Sequence, residues 1–169
     1  MKLVVNDANV LIDLVKLKLL PHFFALKINF YTTDLVLTEL YDDQKEALLP
    51  YIDNKILEII SLTEDQMIEI YMINLEKNQL SDTDCSAFYL AKKLNGTLLT
   101  SDLNLRNFSK EKEIEVHGHL WVFDLMIKEQ TITNTRAIEK LKELTQEINP
   151  KLGLPKHECD KRYKSWSNL

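Results

Sequence analysis

Glycine and cysteine are both scarce in this chain, and each scarcity excludes a class of site. Only 3 glycines occur among 169 residues, and neither G-x-x-x-x-G-K followed by Ser or Thr nor G-x-G-x-x-G is present. A P-loop or a standard dinucleotide-binding fold is therefore disfavoured. The 2 cysteines, Cys85 and Cys159, lie far apart and outside any C-x-x-C pair. This spacing gives neither a disulfide framework nor a thiolate zinc site, and we interpret both as reduced.

Long apolar runs are missing as well. No stretch approaches the roughly 18 residues that a membrane span needs, and the segment 1–7 lacks the apolar core of a signal peptide. We therefore expect a cytoplasmic protein with no membrane partner. The hydrophobic content of 45% is ordinary for a globular chain, and 169 residues suit one domain with a substantial core.

Positive charge is in short supply for a protein that would hold nucleic acid with its own cations. The formal net charge is −5, whereas such proteins are usually basic. If this chain acts on nucleic acid, a bound metal ion is the obvious source of positive charge. The charge is also uneven, because residues 150–169 carry +3 and the remainder carries −8.

Short apolar runs alternate with helical stripes along the chain. Strands are predicted at 2–6, 29–33, 97–100 and 114–116, with 56–62 ambiguous between strand and helix end. Helices are predicted at 9–20, 34–43, 63–78, 81–94, 102–108, 120–129 and 133–148. The alternation indicates an α/β fold with a mostly parallel sheet, whose sites form beyond the carboxyl ends of the strands. We expect one domain over 1–148 and a basic, aromatic tail over 149–169 that packs on it.

Three aspartates occupy positions that suit either a site or a helix cap. Asp7 directly follows the first strand, and Asp102 follows the 97–100 strand, so both belong at the carboxyl edge of the sheet. Asp84 lies three residues after Ser81, at the start of a helix. Each has a purely structural explanation, as an N-cap for Asp7 and Asp102 or as a capping-box partner for Asp84.

Glu39 is harder to explain structurally. It lies in the almost wholly apolar segment 35–40, with Val36 and Leu35 one turn before it, so we expect it to face inward. A buried lone carboxylate is costly unless a partner pairs with it. Arg106 or a lysine would be the structural partner.

Together, the four carboxylates predict a metal site. Several carboxylates converging on one cleft would repel each other unless a cation lay between them. Oxygen ligands select hard divalent ions such as Mg²⁺ or Mn²⁺. Such an ion stabilises charge on a phosphodiester and makes its bound water a better nucleophile. It would also draw phosphate to an acidic protein.

The order of these motifs resembles the PIN-domain family over about residues 1–148. The resemblance rests on Asp7-x-Asn9-Val10-Leu11-Ile12-Asp13, Tyr31-Thr32-Thr33-Asp34-x-Val36-x-x-Glu39-Leu40, Asp84-x-x-Ala87-x-x-Leu90-Ala91, Leu98-Leu99-Thr100-Ser101-Asp102, Leu103-Asn104-Leu105-Arg106 and His117-Gly118.

This resemblance implies a three-layer α/β/α sandwich and a Mg²⁺- or Mn²⁺-dependent ribonuclease. It places the family's acidic site on Asp7, Glu39, Asp84 and Asp102. Asp7, Asp84 and Asp102 would bind metal, and Glu39 would bind metal or orient the attacking water. Many small bacterial members are toxins of toxin–antitoxin pairs, and members often self-associate. The resemblance thus implies RNA, an antitoxin and a second copy of the chain as partners.

The chain departs from the family pattern at two positions. Ala8 stands where members often have Ser or Thr, so we expect Asn9 and Ser101 to supply polar contacts. Asn104 stands where some members carry a further Asp, which weakens a second metal site. Asn9, Ser101, Asn104 and Arg106 are the candidate substrate-positioning residues, with a solvated helix face as the alternative for Arg106.

Two further features have competing interpretations. His117 and His119 are spaced for zinc, but no third nitrogen or sulfur ligand is evident. The tail interleaves cations with aromatic residues. This pattern suits binding of single-stranded RNA, packing on the domain or binding of a partner protein. The residues are Lys156, Lys161, Arg162, Tyr163, Lys164 and Trp166.

Three other functions compete with the nuclease. A haloacid-dehalogenase-type phosphatase needs a second Asp two residues after the first, where this chain has Asn9. A receiver domain needs paired acids after strand one and a late lysine, and neither is evident. The strongest rival is a PIN-like scaffold that binds RNA or a protein without cutting, and four intact acids argue against it.

Overall fold

A five-stranded parallel sheet forms the centre of the molecule, and a computed structural model describes residues 2–168. The order of strands in the sheet is β3-β2-β1-β4-β5, and all four pairings are parallel. This confirms the expected α/β class. The strands are β1 (Lys2–Asn6), β2 (Ile28–Thr33), β3 (Leu57–Ile60), β4 (Thr97–Leu99) and β5 (Val116–His117).

Helices connect the strands and cover the sheet, as a three-layer α/β/α sandwich requires. The central strands are buried and apolar, as expected where both faces of a parallel sheet are covered. The helices are α1 (Ala8–Lys16), α2 (Leu20–Phe24), α3 (Asp34–Leu37), α4 (Asp42–Asp53), α5 (Glu64–Glu76), α6 (Asp82–Lys93), α7 (Leu103–Glu111), α8 (His119–Lys128), α9 (Asn134–Glu143) and α10 (Lys156–Ser167), with a π-helical turn at Leu144–Ile148 and a 3₁₀ turn at Pro150–Leu152. Across residues 2–168, no helix is long and apolar enough to cross a membrane.

The predicted helix over 9–20 is wrong after Lys16. α1 ends at Lys16, and Lys18 has a φ of 58°, a left-handed conformation that stops the helix. Pro21 does not terminate the segment but stands in the first turn of α2. The first turn tolerates proline because its N–H would have no intrahelical partner there.

The predicted helix over 34–43 is also wrong. The N-cap is Thr33, whose hydroxyl accepts the Val36 N–H at 3.1 Å. The helix then ends after one turn, at Leu37, and the separate helix α4 begins at Asp42. The apolar residues of 35–40 therefore lie on one short turn and the loop that follows it.

The end of α6 is a Schellman motif, with Asn95 in the left-handed position at a φ of 50°. The Gly96 N–H bonds the Ala91 carbonyl at 2.9 Å, and the Asn95 N–H bonds the Lys92 carbonyl at 3.2 Å. Gly96 then passes close to β1. A Cβ there would overlap Cδ2 of Leu3 and lie 3.3 Å from its carbonyl oxygen.

Gly96→Ala is therefore expected to destabilise the fold by overpacking, by about 1–3 kcal/mol. Urea unfolding followed by circular dichroism measures this change. Asn95→Gly is the matched control, because it keeps the left-handed turn without adding a side chain, and its stability should stay close to that of the wild type. Unchanged stability of Gly96→Ala would contradict the close approach to Leu3.

The C-terminal helix α10 packs against α8 and α9. The guanidinium of Arg162 bonds the Asp124 carboxylate of α8 through Nε and Nη2, with the shortest contact at 2.6 Å. Trp166 is buried, with its ring centroid 6.2 Å from that of Phe123. Lys142 of α9 lies over the Tyr163 ring at 5.7 Å. The aromatic residues of the tail thus contact the domain itself.

Candidate metal centre

The candidate site lies where the order of strands reverses. From β1 the chain proceeds to β2 on one side, and β4 later pairs with β1 on the other side. In open parallel sheets this reversal leaves a crevice at the carboxyl ends of the two strands. Asp7 follows β1, and its N–H bonds the Leu99 carbonyl of β4 at 3.0 Å. Asp102 follows β4, so the two acids expected at this edge are both there.

Asp7 is the most buried of the four acids, with 2% of its surface exposed. Its Oδ1 accepts the Ala8 N–H at 2.8 Å, and its Oδ2 accepts the Asn9 amide at 2.9 Å and the Thr100 hydroxyl at 2.7 Å. Burial raises the pKa of Asp7 to about 7, against the lowering effect of the Thr100 hydrogen bond. The carboxylate is thus held in one orientation and strongly desolvated.

Thr100 is the functional residue that sequence reasoning missed. It is fully buried, and its hydroxyl donates to Asp7 while accepting the Asp102 N–H at 3.1 Å. One side chain therefore positions two of the acids. The sequence does place a hydroxyl residue at the end of a strand, two residues before an acid. Without the structure, however, Thr100 is indistinguishable from an ordinary strand residue.

Asn9 and Ser101 join the two loops that carry Asp7 and Asp102. The Asn9 amide donates to Asp7, and its Oδ1 accepts the Ser101 N–H at 3.1 Å. Asn9 thus supplies a polar contact near the position where the family often has Ser or Thr. Ser101 takes part through its backbone N–H in this bond.

Asp84 and Asp102 are helix caps as well as candidate ligands. Asp84 forms a reciprocal capping box with Ser81, with bonds of 2.8 and 3.0 Å. Asp102 caps α7 by accepting the Leu105 N–H at 2.7 Å. Each cap leaves carboxylate lone pairs free for another ligand. The structural and the functional explanations are therefore compatible.

The prediction that Glu39 faces inward is wrong. Glu39 lies in the turn after α3 and is exposed to solvent. The reason is the early end of α3, which breaks the helical spacing that placed Glu39 beside Val36 and Leu35. It nevertheless lies close enough to Asp7 that its charge raises the pKa of Asp7.

The four acids are electrostatically linked. The charges of Asp84 and Glu39 both raise the pKa of Asp7. Burial chiefly raises the pKa of Asp84, and the charge of Asp102 raises it further. Within residues 2–168, no ion pair of 4.0 Å or less joins a cation to any of the four. The chain therefore gathers negative charge at this edge without compensating it.

The donor chemistry of this edge fits a hard divalent ion. All four groups are carboxylates, and Mg²⁺ and Mn²⁺ prefer oxygen ligands. Buried like charges that repel each other are what a divalent cation would relieve. In the described part of the chain, however, no three His, Cys, Asp or Glu side chains converge closely enough to enclose a metal ion.

The remaining predicted positions lie around this edge. Asn104 is exposed on the first turn of α7. Arg106 is half-buried, and its Nη1 donates to the Thr100 carbonyl at 3.0 Å; burial lowers the pKa of its guanidinium. His117 stacks on Trp121, whereas His119 is buried 2.9 Å from Asp13. The two histidines therefore have different neighbours and do not form a zinc site among the described residues.

Comparison with known proteins identifies the fold family. No curated protein matches the sequence at a significant level. A family model described as a PIN domain matches residues 3–152, which is most of the chain. Such domains are generally nucleases and typically use divalent metal ions. The match agrees with the resemblance found in the motifs and with the parallel α/β/α fold. The chain therefore belongs to the PIN-domain family.

Proposed function

We propose that this protein is a Mg²⁺- or Mn²⁺-dependent endoribonuclease that hydrolyses phosphodiester bonds in single-stranded RNA. One observation carries the proposal: four linked carboxylates at the strand-order reversal of a PIN domain, with no cation of the described chain within 4.0 Å. In an acidic protein of net charge −5, such an ion would add positive charge where the scissile phosphate must approach the carboxylates. The choice of RNA follows from the family resemblance.

Asp7, Asp84 and Asp102 would hold the ion. When bound, the ion would stabilise charge on the phosphodiester and lower the pKa of an attacking water. Asp7 is fixed for this role by Thr100, Asn9 and its own helix. Such support of a metal ligand by neighbouring groups orients it before the ion arrives.

Glu39 would act on the solvent side of the site. It is exposed, yet its charge acts on Asp7. A carboxylate in that position would bind the ion or orient the attacking water and take up its proton. The water oxygen would then bond to phosphorus while the bond to the leaving oxygen breaks, and the leaving oxygen would take a proton from solvent. The resemblance allows both roles for Glu39, and its exposure suits contact with water.

Cleavage of a mixed RNA pool tests the proposal. Cutting is expected in Mn²⁺ or Mg²⁺ and not in EDTA. Asp102→Asn should reduce the rate by roughly 10³-fold or more, because a catalytic ion contributes several kcal/mol to the transition state. Asparagine is also a good N-cap, so α7 should remain folded.

Asp82→Asn is the matched control for this experiment. Asp82 is exposed and begins the same helix as Asp84, so removing its charge should leave the rate within about twofold, as expected for screened surface charges. Equal activity of Asp102→Asn and wild type would contradict the assignment. So would cutting that persists in EDTA.

A second candidate is an inactive PIN-like scaffold that binds RNA or a protein. Two observations favour it. The capping roles of Asp84 and Asp102 account for the presence of these two acids without catalysis. In addition, no three potential ligands within residues 2–168 lie close enough to enclose a metal ion. Titration with Mn²⁺ discriminates the two. A nuclease should bind the ion and lose that binding in Asp7→Asn, whereas a scaffold has no reason to bind it.

Three partner and cellular assignments remain predictions. An antitoxin would make the protein the toxin of a pair, and the neighbouring gene would test this. A homodimer is expected from the family's habit of self-association, and analytical ultracentrifugation would test it. Cytoplasmic location is the third.

A further inference from the structure

A cavity of about 620 Å³ lies beside the candidate metal centre, and its described lining includes none of the four acids. Ser101, directly before Asp102, contributes to its wall, together with Arg106 of α7. Its lining also includes the segment 117–121, residues 152–155 and two residues of α10. The volume lies within the range of roughly 300–1,000 Å³ typical of small-ligand sites.

One wall of this cavity lies mostly beyond the residues that the family model matches. The family match ends at residue 152, whereas Gly153, Leu154, Pro155, Glu158 and Arg162 all line the cavity. Arg162 holds this wall in place through its bonds to Asp124 and to Glu158, the latter at 2.8 Å. The cavity is therefore built where the C-terminal segment closes over the edge of the PIN fold.

Arg106 also lines the cavity, and its positive charge has no ion-pair partner among residues 2–168. It is half-buried, and within residues 2–168 no carboxylate lies within 4.0 Å of its guanidinium. Its Nη1 bonds the Thr100 carbonyl, which leaves other N–H groups available. A desolvated guanidinium is costly without an anionic partner and binds phosphate well. Arg162, by contrast, already has two carboxylate partners.

Gly118 makes room for Arg106. A Cβ at residue 118 would lie 3.0 Å from Nη1 of Arg106 and 3.3 Å from the Thr100 carbonyl oxygen. The glycine thus lets the guanidinium run across the end of β4 toward the cavity. The lack of a side chain at Gly118 therefore allows the observed position of the Arg106 guanidinium.

The rest of the wall suits a flat heterocycle. His117 and Trp121 form a parallel stack, with ring centroids 4.7 Å apart and an angle of 6° between the rings. Leu103 lies at the rim with 68% of its surface exposed. Lys2 Nζ also lies over the Trp121 ring, 4.7 Å from its centroid. An unstacked RNA base would therefore pack against the edge of this stack and the apolar side chains beside it. His119 adds a buried Nδ1 that has no hydrogen-bond partner among residues 2–168.

We infer that this cavity binds one nucleotide of the RNA next to the bond that is cleaved, with its phosphate on Arg106 and its base against the His117, Trp121 and Leu154 walls. The inference rests on the proposed ribonuclease function for the identity of the ligand. The position of Ser101 in the wall, one residue from Asp102, places such a nucleotide beside the acids. The cavity would thus fix the register of the RNA strand relative to the acids and favour certain bases next to the cleaved bond.

Tryptophan fluorescence tests the inference without requiring catalysis. The four nucleoside 5′-monophosphates are titrated into the wild-type protein in EDTA. Saturable quenching is expected, because Trp121 lines the cavity whereas Trp166 is buried against α8. Trp121→Phe should lose the quenching. Inorganic phosphate should bind at least about tenfold more weakly than the best nucleotide, since it lacks a base.

Variants identify the group that holds the phosphate. Arg106→Gln should weaken nucleotide binding by about tenfold or more, as expected for the loss of a charge-assisted contact. Gly118→Ala should weaken it to a smaller extent by displacing the guanidinium. Arg136→Gln is the matched control, because Arg136 is exposed on α9 and, within residues 2–168, its guanidinium bonds only Glu139, at 3.4 Å. Its nucleotide binding should not change.

The outcomes separate this inference from the proposed function. If wild type and Asp102→Asn both bind nucleotides and neither cleaves RNA, the nucleotide site is supported and the proposed ribonuclease function is rejected. Metal-dependent cleavage without saturable nucleotide quenching would reject the cavity and leave the nuclease intact. Equal affinity of wild type and Arg106→Gln would also overturn the inference. So would phosphate that binds as tightly as the nucleotides.

Discussion

Asp7→Asn is expected to make the protein more stable above pH 7 and inactive at the same time. Burial raises the pKa of Asp7 from 3.8 to about 7 in the folded chain. Between these pH values the folded protein holds a proton that the unfolded chain has released. Stability therefore falls as the pH rises through this window, and the loss is complete above about pH 7. An uncharged asparagine removes that loss.

The gain in stability of Asp7→Asn over wild type should be largest at pH 8 and small near pH 4. Each pKa unit corresponds to about 1.4 kcal/mol, so the expected gain at pH 8 is a few kcal/mol, or several degrees in Tm. The gain is reduced because one asparagine oxygen must replace two carboxylate oxygens that accept three hydrogen bonds. Thermal unfolding in EDTA between pH 4 and pH 8 measures both the sign and the window.

Mn²⁺ should reverse the order of stability. An ion that binds only the folded wild type stabilises it by mass action, whereas Asp7→Asn should show little response. Asp82→Asn is the control, because its charge is exposed and its unfolding should follow the wild type at every pH. A stability difference between Asp7→Asn and wild type that does not change between pH 5 and pH 8 in EDTA, or an Asp7→Asn protein that is less stable than wild type at pH 8, would contradict this account of Asp7.

Asp13→Ala is expected to lower the free energy of unfolding by about 2–4 kcal/mol, a larger loss than that of Gly96→Ala, because polar groups of two other segments lose their partner. Asp13 is 3% exposed and links three parts of the chain. Its Oδ2 lies 2.9 Å from Nε2 of His119 at the start of α8 and accepts the Asn149 amide at 3.0 Å. The His119 contact is a close polar approach without good hydrogen-bond alignment. Removing the carboxylate leaves the buried His119 ring and the half-buried Asn149 amide without this partner.

Urea unfolding at neutral pH measures this loss. Asp13→Asn should be less damaging than Asp13→Ala, because an amide keeps the volume and one acceptor oxygen. Asp160→Ala is the matched control, since Asp160 is exposed on α10 and should change stability by no more than about 0.5 kcal/mol. Asp13→Ala with wild-type stability would show that the link between α1, α8 and Asn149 does not hold the fold together.

The positions of Asp7 and Asp102 followed from the sequence because they depend on local features. Each comes directly after a short apolar run, and parallel strands bring their carboxyl ends to one edge of a sheet. Asp84 followed in the same way from its place near a helix start. These predictions needed no knowledge of which strands are neighbours.

The environment of Glu39 could not be predicted, because it depends on where α3 ends. Helical spacing predicted a buried side chain, but the hydroxyl of Thr33 starts the helix and the chain leaves it after Leu37. An apolar segment of six residues fits a short turn as well as part of a long helix. The exposed position of Glu39 is thus a result of tertiary packing.

Thr100 and the cavity were beyond sequence reasoning for a similar reason. The bond between Thr100 and Asp7 joins residues 93 positions apart. The cavity joins α7 to residues 152–162 across more than 40 positions of the chain. Such contacts depend on the order of strands and on the path of the C-terminal segment. Neither leaves a local pattern in the sequence.

A phosphorothioate RNA tests the central claim most directly, namely that the acids hold an ion which contacts the scissile phosphate. Sulfur replaces a non-bridging oxygen at a mapped cleavage site. Because Mg²⁺ binds sulfur poorly and Mn²⁺ tolerates it better, one diastereomer should be cut slowly in Mg²⁺ and restored in Mn²⁺. Asp7→Asn should cut neither RNA in either metal. Equal cutting of sulfur- and oxygen-containing RNA in Mg²⁺, or full activity of Asp7→Asn, would contradict the claim.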